Sequence, residues 1–178
     1  MRVIAGRLGG RTFDSPKTHR THPMSDKVRG ALFNALGDLS GLTVLDVFAG
    51  SGACSIEAIS RGADSVLAID IDPEAVKTIA ANVRALGLDE AITVRRKNSS
   101  GWSRNNQDKQ FDVVLADPPY NDIRPDVLER LTAHVRLAGG LYVLSWPGGE
   151  PIRELPGLEI ISHKTYGDAQ LVFYRRTA

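Results

Sequence analysis

A carboxylate, two prolines and a tyrosine follow an apolar run in the second half of the chain, where FDVVLA leads directly into Asp117-Pro118-Pro119-Tyr120. The two prolines fix φ and remove two N–H donors, so the segment leaves the predicted strand as a rigid, extended chain. Asp117 and the Pro118 carbonyl can accept the two hydrogens of an exocyclic base amine while Tyr120 stacks on the base. The pattern predicts methylation of a nucleobase amine. The alternative interpretation is a proline-stiffened loop with an incidental tyrosine.

A glycine-rich turn, Phe48-Ala49-Gly50-Ser51-Gly52, connects the first apolar β-type run to a helical segment. Glycines allow a tight turn and a close approach of the backbone to a ligand, and the N-terminus of the following helix offers free N–H groups. Asp70 stands 20 residues after Gly50 at the end of the next predicted strand, where a carboxylate accepts hydrogen bonds from ribose hydroxyls. Ser55 replaces the third glycine of G-x-G-x-x-G, so the turn predicts a nucleotide-type site without the full dinucleotide motif.

An acidic residue inside the first predicted strand narrows the choice of cofactor. Asp46 lies two residues before Phe48, so we expect it close to the ligand. A carboxylate there repels a pyrophosphate but can orient a cationic amino-acid group. S-adenosylmethionine (AdoMet) meets this requirement because it carries ribose hydroxyls, an ammonium and a sulfonium but no phosphate. In the alternative interpretation, Asp46 only caps the following loop.

These candidate residues stand between elements that alternate in type from residue 42 onward. Strand-like runs are predicted at 43–48, 65–70, 91–95, 111–116, 140–146, 158–163 and 169–175. Helical segments between most of these runs imply right-handed βαβ units and a mostly parallel sheet in an α/β fold. The last two runs are separated only by a turn, so they should pair antiparallel. Ser25 and Gly37 are expected to cap one helix, and Asp72-Pro73 to open another.

The basic residues are concentrated at the N-terminus, although the whole chain has a net charge of only +1. Residues 1–30 carry seven basic and two acidic side chains, a net charge of +5, so the remainder carries −4. This asymmetry indicates a polyanionic partner, or else a solvated, arginine-rich surface hairpin. We expect one domain over residues 1–178, with a basic hairpin or arm at 1–24 and the core at 25–178. A second basic run, Arg95-Arg96-Lys97, is either a solvated strand end or a further RNA contact.

Length and composition exclude several classes of protein. The 178 residues are 42% hydrophobic and 24% charged, which is typical of a globular domain able to bury a core. The single cysteine, Cys54, excludes a disulfide framework and is expected to be a packed side chain rather than the nucleophile of cytosine-C5 methylation. His19 and His22 stand three apart without a third ligand nearby, so no metal is expected. We further expect a cytoplasmic protein with no membrane segment and no secretory signal.

Several motifs follow one another along nearly the whole chain. They are Gly6-Arg7…Gly10-Arg11, Ser25-Asp26-Lys27-Val28-Arg29, Leu32-Phe33-Asn34, Asp46-Val47-Phe48-Ala49-Gly50-Ser51-Gly52, Glu57-Ala58, Ser60-Arg61-Gly62-Ala63, Asp117-Pro118-Pro119-Tyr120 and Tyr166-Gly167-Asp168. In this order they resemble the RsmD family of guanine-N2 methyltransferases that act on small-subunit (16S) ribosomal RNA. The resemblance implies a Rossmann-like class I methyltransferase fold: a mostly parallel seven-stranded sheet with an antiparallel final strand, plus a short N-terminal β-hairpin. The chain departs from the family at His22-Pro23-Met24, where R-P-T is usual, and at Gly30, where an acid is usual.

The same resemblance implies roles for individual residues. AdoMet would be bound by Asp46, Phe48, Gly50, Ser51, Gly52, Asp70, Ile71, Asn98 and Ser99. The catalytic segment would be Asp117, Pro118, Pro119 and Tyr120. RNA would be bound by Arg7, Arg11, Lys27 and Arg29. The expected partner is ribosomal RNA or a small-subunit assembly particle, and the protein is expected to be a monomer.

Three other functions are alternatives to rRNA methylation. A DNA adenine or cytosine amino-methyltransferase shares the chemistry of Asp117-Pro118-Pro119-Tyr120, but such enzymes usually carry a target-recognition domain for which 178 residues leave no room. A non-catalytic RNA-binding module is disfavoured by that intact tetrapeptide. A nicotinamide-dependent oxidoreductase is disfavoured by Asp46 and by the incomplete glycine motif.

Overall fold

A seven-stranded sheet with helices on both faces forms the body of the protein, and the computed structural model describes residues 1–17 and 23–177. The strands are β1 (Thr43–Val47), β2 (Ser65–Asp70), β3 (Ile92–Arg96), β4 (Val113–Ala116), β5 (Leu141–Pro147), β6 (Leu158–Tyr166) and β7 (Ala169–Arg176). The helices are α1 (Asp26–Leu36), α2 (Ala53–Ser60), α3 (Pro73–Ala85), α4 (Ser99–Asn105) and α5 (Pro125–Leu131), with a 3₁₀ turn at Thr132–His134. The order across the sheet is β3-β2-β1-β4-β5-β7-β6.

The first five strands are parallel, and the direction reverses only at the end of the chain. β1 pairs with β2 and β4, β2 pairs with β3, and β4 pairs with β5, all in parallel. β7 lies antiparallel between β5 and β6. Only residues 167–168 separate β6 from β7, which is too short for the crossover that a parallel pair requires. The predicted α/β fold class and its antiparallel ending are therefore confirmed.

Short polar side chains begin three of the helices. Ser25 and Asp72 each accept a hydrogen bond from a backbone N–H in the first turn of α1 and α3, as predicted. Asn98 does the same for α4, a helix that the sequence analysis missed because SSGWSRN contains one apolar side chain, Trp102, and no helical period. The helix that begins at Pro125 ends at Leu131. Val135 is buried, but it lies beyond the 3₁₀ turn.

The sheet buries apolar side chains on both faces. Val44 belongs to the cluster under α1, α2 and α3, whereas its neighbour Leu45 belongs to the cluster under α4 and α5. This alternation follows from the two-residue period of a strand. Because both faces are covered, β4 is buried along its whole length and β1 along nearly all of it. A ligand therefore reaches these central strands at their ends.

The N-terminal segment folds back on itself in a turn-rich loop. Its antiparallel pairing consists of a single bridge between Arg2 and Thr12. Next to the bridge, the Val3 N–H donates to the Arg11 carbonyl at 2.8 Å and the Gly10 N–H donates to the Val3 carbonyl at 2.9 Å. The expected hairpin thus has the predicted antiparallel sense, but turns rather than strands make up most of it.

A buried glutamate joins this segment to α2. Glu57 is fully buried and accepts hydrogen bonds from the backbone N–H groups of Ile4, at 2.9 Å, and Ala5, at 3.1 Å. The same carboxylate accepts a hydrogen bond of 2.8 Å from Arg61 Nε, and it lies 4.0 Å from Arg29 Nε. A buried carboxylate without partners would cost several kcal/mol. The N-terminal segment must therefore stay docked for Glu57 to remain satisfied.

The expectation that Arg29 contacts RNA is wrong, because its side chain is fully buried. Its guanidinium donates to the Arg2 carbonyl at 2.7 Å and to Asp26 Oδ1 at 3.1 Å, in addition to lying against Glu57. These contacts hold α1 against the N-terminal segment. Lys27, two residues earlier on α1, is exposed.

Gly6 marks the closest approach of the N-terminal segment to α2. It has φ +82°, and a Cβ there would stand 2.0 Å from the carbonyl oxygen of Ser60. Gly10 has nearly the same conformation, φ +85°, but a Cβ there would meet no atom within 4 Å. The two glycines therefore separate the cost of a positive φ from the cost of a backbone clash.

We expect Gly6→Ala to lower the free energy of unfolding by about 2–4 kcal/mol, because overpacking adds to the strain of the left-handed conformation. Gly10→Ala carries the strain alone and should cost about 1–2 kcal/mol. Urea unfolding measures both values. Hydrogen exchange should show faster exchange of the Ile4, Ala5 and Leu8 amides in the Gly6 variant only. Equal losses of stability in the two variants would contradict the close contact with Ser60.

Two classes of feature are absent from the part of the chain that the structure describes. Among residues 1–17 and 23–177, no helix is long and apolar enough to cross a membrane. Over the same two ranges, no group of three or more His, Cys, Asp or Glu side chains is arranged to hold a metal ion. His19 and His22 lie outside the described residues, so the expectation that they bind no metal stays a prediction.

Candidate active site at the carboxyl edge of the sheet

The carboxyl ends of β2, β1, β4 and β5 lie side by side at one edge of the sheet. Val47 pairs with both Ile69 and Ala116, and Ala116 pairs in turn with Leu144. The next residue on each strand or its loop therefore falls in one row across the edge: Asp70, Phe48, Asp117 and Ser145. Ligands of open α/β sheets bind at this edge. The structure thus brings together the glycine loop and the Asp117-Pro118-Pro119-Tyr120 segment, which are far apart in sequence.

The glycine loop turns away from β1 through unusual backbone conformations. Phe48 has φ +63°, which is uncommon for a residue other than glycine. Gly50 and Gly52 also have positive φ, and a Cβ on Gly52 would stand 3.0 Å from Ile79 of α3. Backbone strain at a bulky residue is concentrated at binding and catalytic sites. The strained Phe48 is therefore independent support for a ligand site at this loop.

Asp70 organises two loops at once. Its Oδ2 accepts a hydrogen bond of 2.8 Å from the Gly50 N–H, and its Oδ1 accepts one of 2.8 Å from the Asp72 N–H. Each carboxylate oxygen can accept more than one hydrogen bond, so both oxygens keep capacity for hydroxyl donors. The neighbouring Ile71 is 59% exposed, an unusual position for a large apolar side chain.

Asp46 is a buried carboxylate with no nearby cation among the residues described. Its side chain accepts a hydrogen bond of 2.6 Å from the Ser55 hydroxyl, and the residue is only 3% exposed. Burial, reinforced by the negative charges of Asp117 and Asp70, raises the pKa of Asp46 to about 7, although the Ser55 hydrogen bond opposes this shift. The unfavourable charge would be relieved by a cationic ligand at this edge.

Asp117 begins the rigid exit from β4. Burial raises the pKa of its carboxyl to about 6, and the Ser145 side chain opposes the shift. Pro118 is buried and Pro119 is exposed, so one ring anchors the segment while the other lies at the surface. Asp117 is therefore ionised at neutral pH and acts as a hydrogen-bond acceptor.

The Tyr120 hydroxyl is held by the neighbouring strand. It lies 2.7 Å from Ser145 Oγ and donates to the Trp146 carbonyl at 3.1 Å, while the residue as a whole remains 39% exposed. Partial burial raises the pKa of Tyr120. The sequence analysis did not single out Ser145. The signal for it was a lone serine in the largely apolar run LYVLSWP, one residue past the register partner of Ala116.

Asn98 and Ser99 lie beside this edge, at the start of α4. The Lys97 N–H donates to the Asp70 carbonyl at 3.0 Å, which brings the residues after β3 next to the end of β2. The Asn98 side-chain oxygen accepts a hydrogen bond of 3.1 Å from the Gly101 N–H, so it caps α4. Its amide NH₂ group is the part of the side chain that can donate to a ligand.

Three of the four candidate RNA-binding residues present their side chains to solvent: Arg7, Arg11 and Lys27 are exposed. The backbone of Arg7 is fixed, because its N–H donates to the Ser60 carbonyl at 2.9 Å. No ion pair within the described ranges involves any of the three. Their charges are therefore available to an anionic partner.

The sheet order and the single reversed strand define the class of the fold as Rossmann-like methyltransferase. A solved structure from Escherichia coli, "Putative methyltransferase yhhF", superposes with a TM-score of 0.87 at 26% identity and covers 99% of this chain and 97% of that chain. A hypothetical protein from a Thermus species superposes with a TM-score of 0.81 at 32% identity and covers 97% of this chain and 98% of that chain.

The chain belongs to the family described as "Conserved hypothetical protein 95", whose model matches residues 1–175. A relative from Bacillus subtilis, "Putative rRNA methyltransferase YlbH", is 30% identical over 99% of each chain. "Ribosomal RNA small subunit methyltransferase D" from Escherichia coli is 31% identical over 67% of this chain and 60% of that protein. The resemblance to the RsmD family is therefore confirmed.

We expect Asp46→Asn to remove a pH-dependent loss of stability. The pKa of Asp46 is about 7 in the folded protein and about 4 in the unfolded chain, so rising pH ionises the unfolded chain first and favours unfolding. Between pH 5 and pH 8 the wild type should lose about 2–3 kcal/mol relative to the variant, at about 1.4 kcal/mol per pKa unit. Urea unfolding at both pH values measures this difference, with the exposed Asp89→Asn as the control. A difference that stays constant with pH would contradict the raised pKa.

Proposed function

We propose that this protein is an AdoMet-dependent methyltransferase that methylates the exocyclic N2 amine of a guanine in small-subunit (16S) ribosomal RNA. The observation that carries the proposal is a single sheet edge that contains both Asp46, a buried carboxylate without a cation beside it in the described chain, and Asp117-Pro118-Pro119-Tyr120. The names of the Bacillus subtilis and Escherichia coli relatives support ribosomal RNA as the substrate class. Family resemblance supports the N2 amine of guanine, and such a substrate implies a cytoplasmic location.

The donors and acceptors at this edge fit AdoMet. Asp46 suits its ammonium group, because a cation beside a buried carboxylate stabilises the ionised form. Asp70 keeps acceptor capacity for the ribose hydroxyls while it holds the loop. The backbone of Phe48, Gly50, Ser51 and Gly52 would enclose the amino-acid end, and Ile71, Asn98 and Ser99 would border the adenine. When bound, AdoMet supplies a methyl group activated by its sulfonium.

The residues of the tetrapeptide position the target amine. The Asp117 carboxylate and the Pro118 carbonyl accept its two hydrogens, which favours a pyramidal nitrogen with an available lone pair. Tyr120 stacks on the base, with its ring orientation fixed by the hydroxyl contacts to Ser145 and Trp146. When bound, AdoMet would give its methyl group to the amine nitrogen and leave as a thioether, and the Asp117 carboxylate stands where it could take up the proton that the amine loses. Positioning of this kind accounts for most of the expected rate.

The proposal is tested by incubating the protein with labelled AdoMet and free 16S rRNA, assembled small subunits or DNA, followed by nucleoside analysis. The label should appear on N2-methylguanosine. Asp117→Ala should keep AdoMet affinity within about threefold and lose at least about 100-fold in turnover. Wild-type turnover should rise with pH through about 6, because Asp117 must be ionised to accept hydrogen bonds. Asp126→Ala, which removes an exposed carboxylate of α5, is the matched control.

Three outcomes would overturn parts of the proposal. Label on adenine or cytosine of DNA would identify the other amino-methyltransferase class. Normal turnover of Asp117→Ala would exclude Asp117 from the chemistry. RNA binding without any methyl transfer to RNA or DNA would indicate a binding module.

We also expect the N-terminal segment to contribute to RNA affinity through its charge. Arg7 and Arg11 are exposed and lie outside every ion pair of the described chain, so replacing both with Ala should reduce the salt slope of RNA binding by up to about two phosphate contacts. AdoMet affinity, measured by calorimetry, should not change. Lys164→Ala with Arg175→Ala removes two exposed charges from strands β6 and β7, at one end of the sheet, as the control. If all three proteins show the same salt slope, the segment has only a structural role.

A further inference from the structure

A second concave surface lies on the α4 side of the sheet, over β2 and β3. This β2–β3 groove has a volume of about 500 Å³ and is lined by Leu67, Thr93, Arg95, Lys97, Trp102 and Lys109, among others. Leu67 and Thr93 lie on adjacent strands as register partners. From the sequence, the basic run at residues 95–97 is either a solvated strand end or a further RNA contact. In the structure, Arg95 and Lys97 of this run line the groove.

The groove exists because the sequence leaves one face of β3 uncovered. The run ITVRRK alternates, with Ile92 and Val94 packed on the α3 side and Thr93 and Arg95 exposed on the other. α4 has only seven residues, and its Trp102 packs against Phe111, with 6.4 Å between ring centroids, rather than over β3. A face built from a hydroxyl and charges has no apolar surface that another helix would need to cover.

The charge of the groove is of one sign. Arg95, Lys97 and Lys109 contribute three positive charges, and none of the described residues that line it is acidic. None of the three forms an ion pair within the described chain. Three neighbouring cations in a concave surface concentrate positive potential and favour a polyanion over a neutral or cationic partner.

The groove is continuous with the proposed cofactor edge. Lys97 lines the groove through its side chain, while its backbone N–H donates to the carbonyl of Asp70. From Thr93 to Lys97 the strand rises about 13 Å, at about 3.3 Å per residue. The groove therefore reaches the cofactor edge at its Asp70 end, with β1 between Asp70 and the Asp117 segment that follows β4.

We propose that the β2–β3 groove binds the phosphate backbone of the RNA substrate. This inference rests on the proposed function, because it takes the polyanion to be that substrate. The groove adds a second contact surface to the N-terminal segment, which packs on the opposite face of the sheet with α2. The two surfaces would contact the RNA from opposite faces of the sheet.

The test compares two triple variants in the full-length protein. Arg95→Gln, Lys97→Gln and Lys109→Gln together remove the charge of the groove, while Lys77→Gln, Lys164→Gln and Arg175→Gln remove three exposed charges elsewhere. For single-stranded RNA the groove variant should lower the salt slope by about two units and weaken binding about 10- to 50-fold at about 0.15 M salt. The control should stay within about threefold of wild type. AdoMet affinity and the melting temperature of both variants should match those of the wild type.

A second substitution tests the floor of the groove. Thr93→Glu leaves all three cations in place and adds a negative charge between them, so RNA binding should weaken about 5- to 20-fold. Ser162→Glu on the exposed strand β6 is the control for adding one charge. If Thr93→Glu binds RNA as tightly as the wild type, RNA does not enter the groove.

The remaining outcomes separate this inference from the proposed function. A groove variant with the wild-type salt slope, in a protein that still methylates rRNA, overturns the groove alone. A wild type that binds RNA with the expected slope but transfers no methyl group overturns the function while supporting the groove as an RNA site. Normal binding of free RNA, combined with a raised KM for assembled subunits only, would assign the groove to a protein of the particle and overturn RNA as its occupant.

Discussion

The arrangement of the N-terminal segment and of the glycine loop depends on the contacts of one buried carboxylate, that of Glu57. It accepts hydrogen bonds from two backbone N–H groups of the N-terminal segment and lies against Arg29 of α1 and Arg61 at the end of α2. α2 begins immediately after Gly52 of the glycine loop, so the Glu57 side chain joins the helix that follows that loop to the N-terminal segment. Removing one of these partners would leave the buried charge less well compensated, which is more costly than losing a surface contact. The glycine loop and the N-terminal segment are therefore held in a fixed arrangement through α2.

The carboxyl edge stores electrostatic repulsion that a ligand can relieve. Asp46 lies one residue before the end of β1, Asp70 ends β2 and Asp117 follows β4, and the charges of Asp70 and Asp117 contribute to the raised pKa of Asp46. A domain selected for stability alone would place neutral side chains there, because buried like charges are unfavourable. Burial also keeps the dielectric constant low, so a cation at this edge would interact more strongly than in water. The same arrangement that costs stability without a ligand favours a sulfonium and an ammonium over a dinucleotide.

Local signals predicted the strands and the first and third helices, because apolar runs and the caps Ser25 and Asp72 act within a few residues. Contacts distant in sequence were not predictable in this way. Arg29 and Lys27 look equivalent in a basic segment, but they lie on different faces of α1: Arg29 is buried in the protein and Lys27 is exposed to solvent. α4 was not predicted because its sequence has no periodic apolar pattern. The helix is held in place by the tertiary packing of Trp102. The candidate site residues come from sequence motifs, whereas their burial and their partners depend on the fold.

The Tyr120 hydroxyl gives a structural reason why the residue after the two prolines is a tyrosine rather than another aromatic residue. Phenylalanine would offer the same stacking face, but its ring could rotate away after the rigid segment ends. The contacts with Ser145 and the Trp146 carbonyl hold the ring from β5 while Pro118 holds the chain from β4. Fixing the ring before a base arrives removes an ordering cost from binding. Because the Ser145 side chain also contacts Asp117, one hydroxyl touches both residues to which the proposed function assigns base stacking and amine binding.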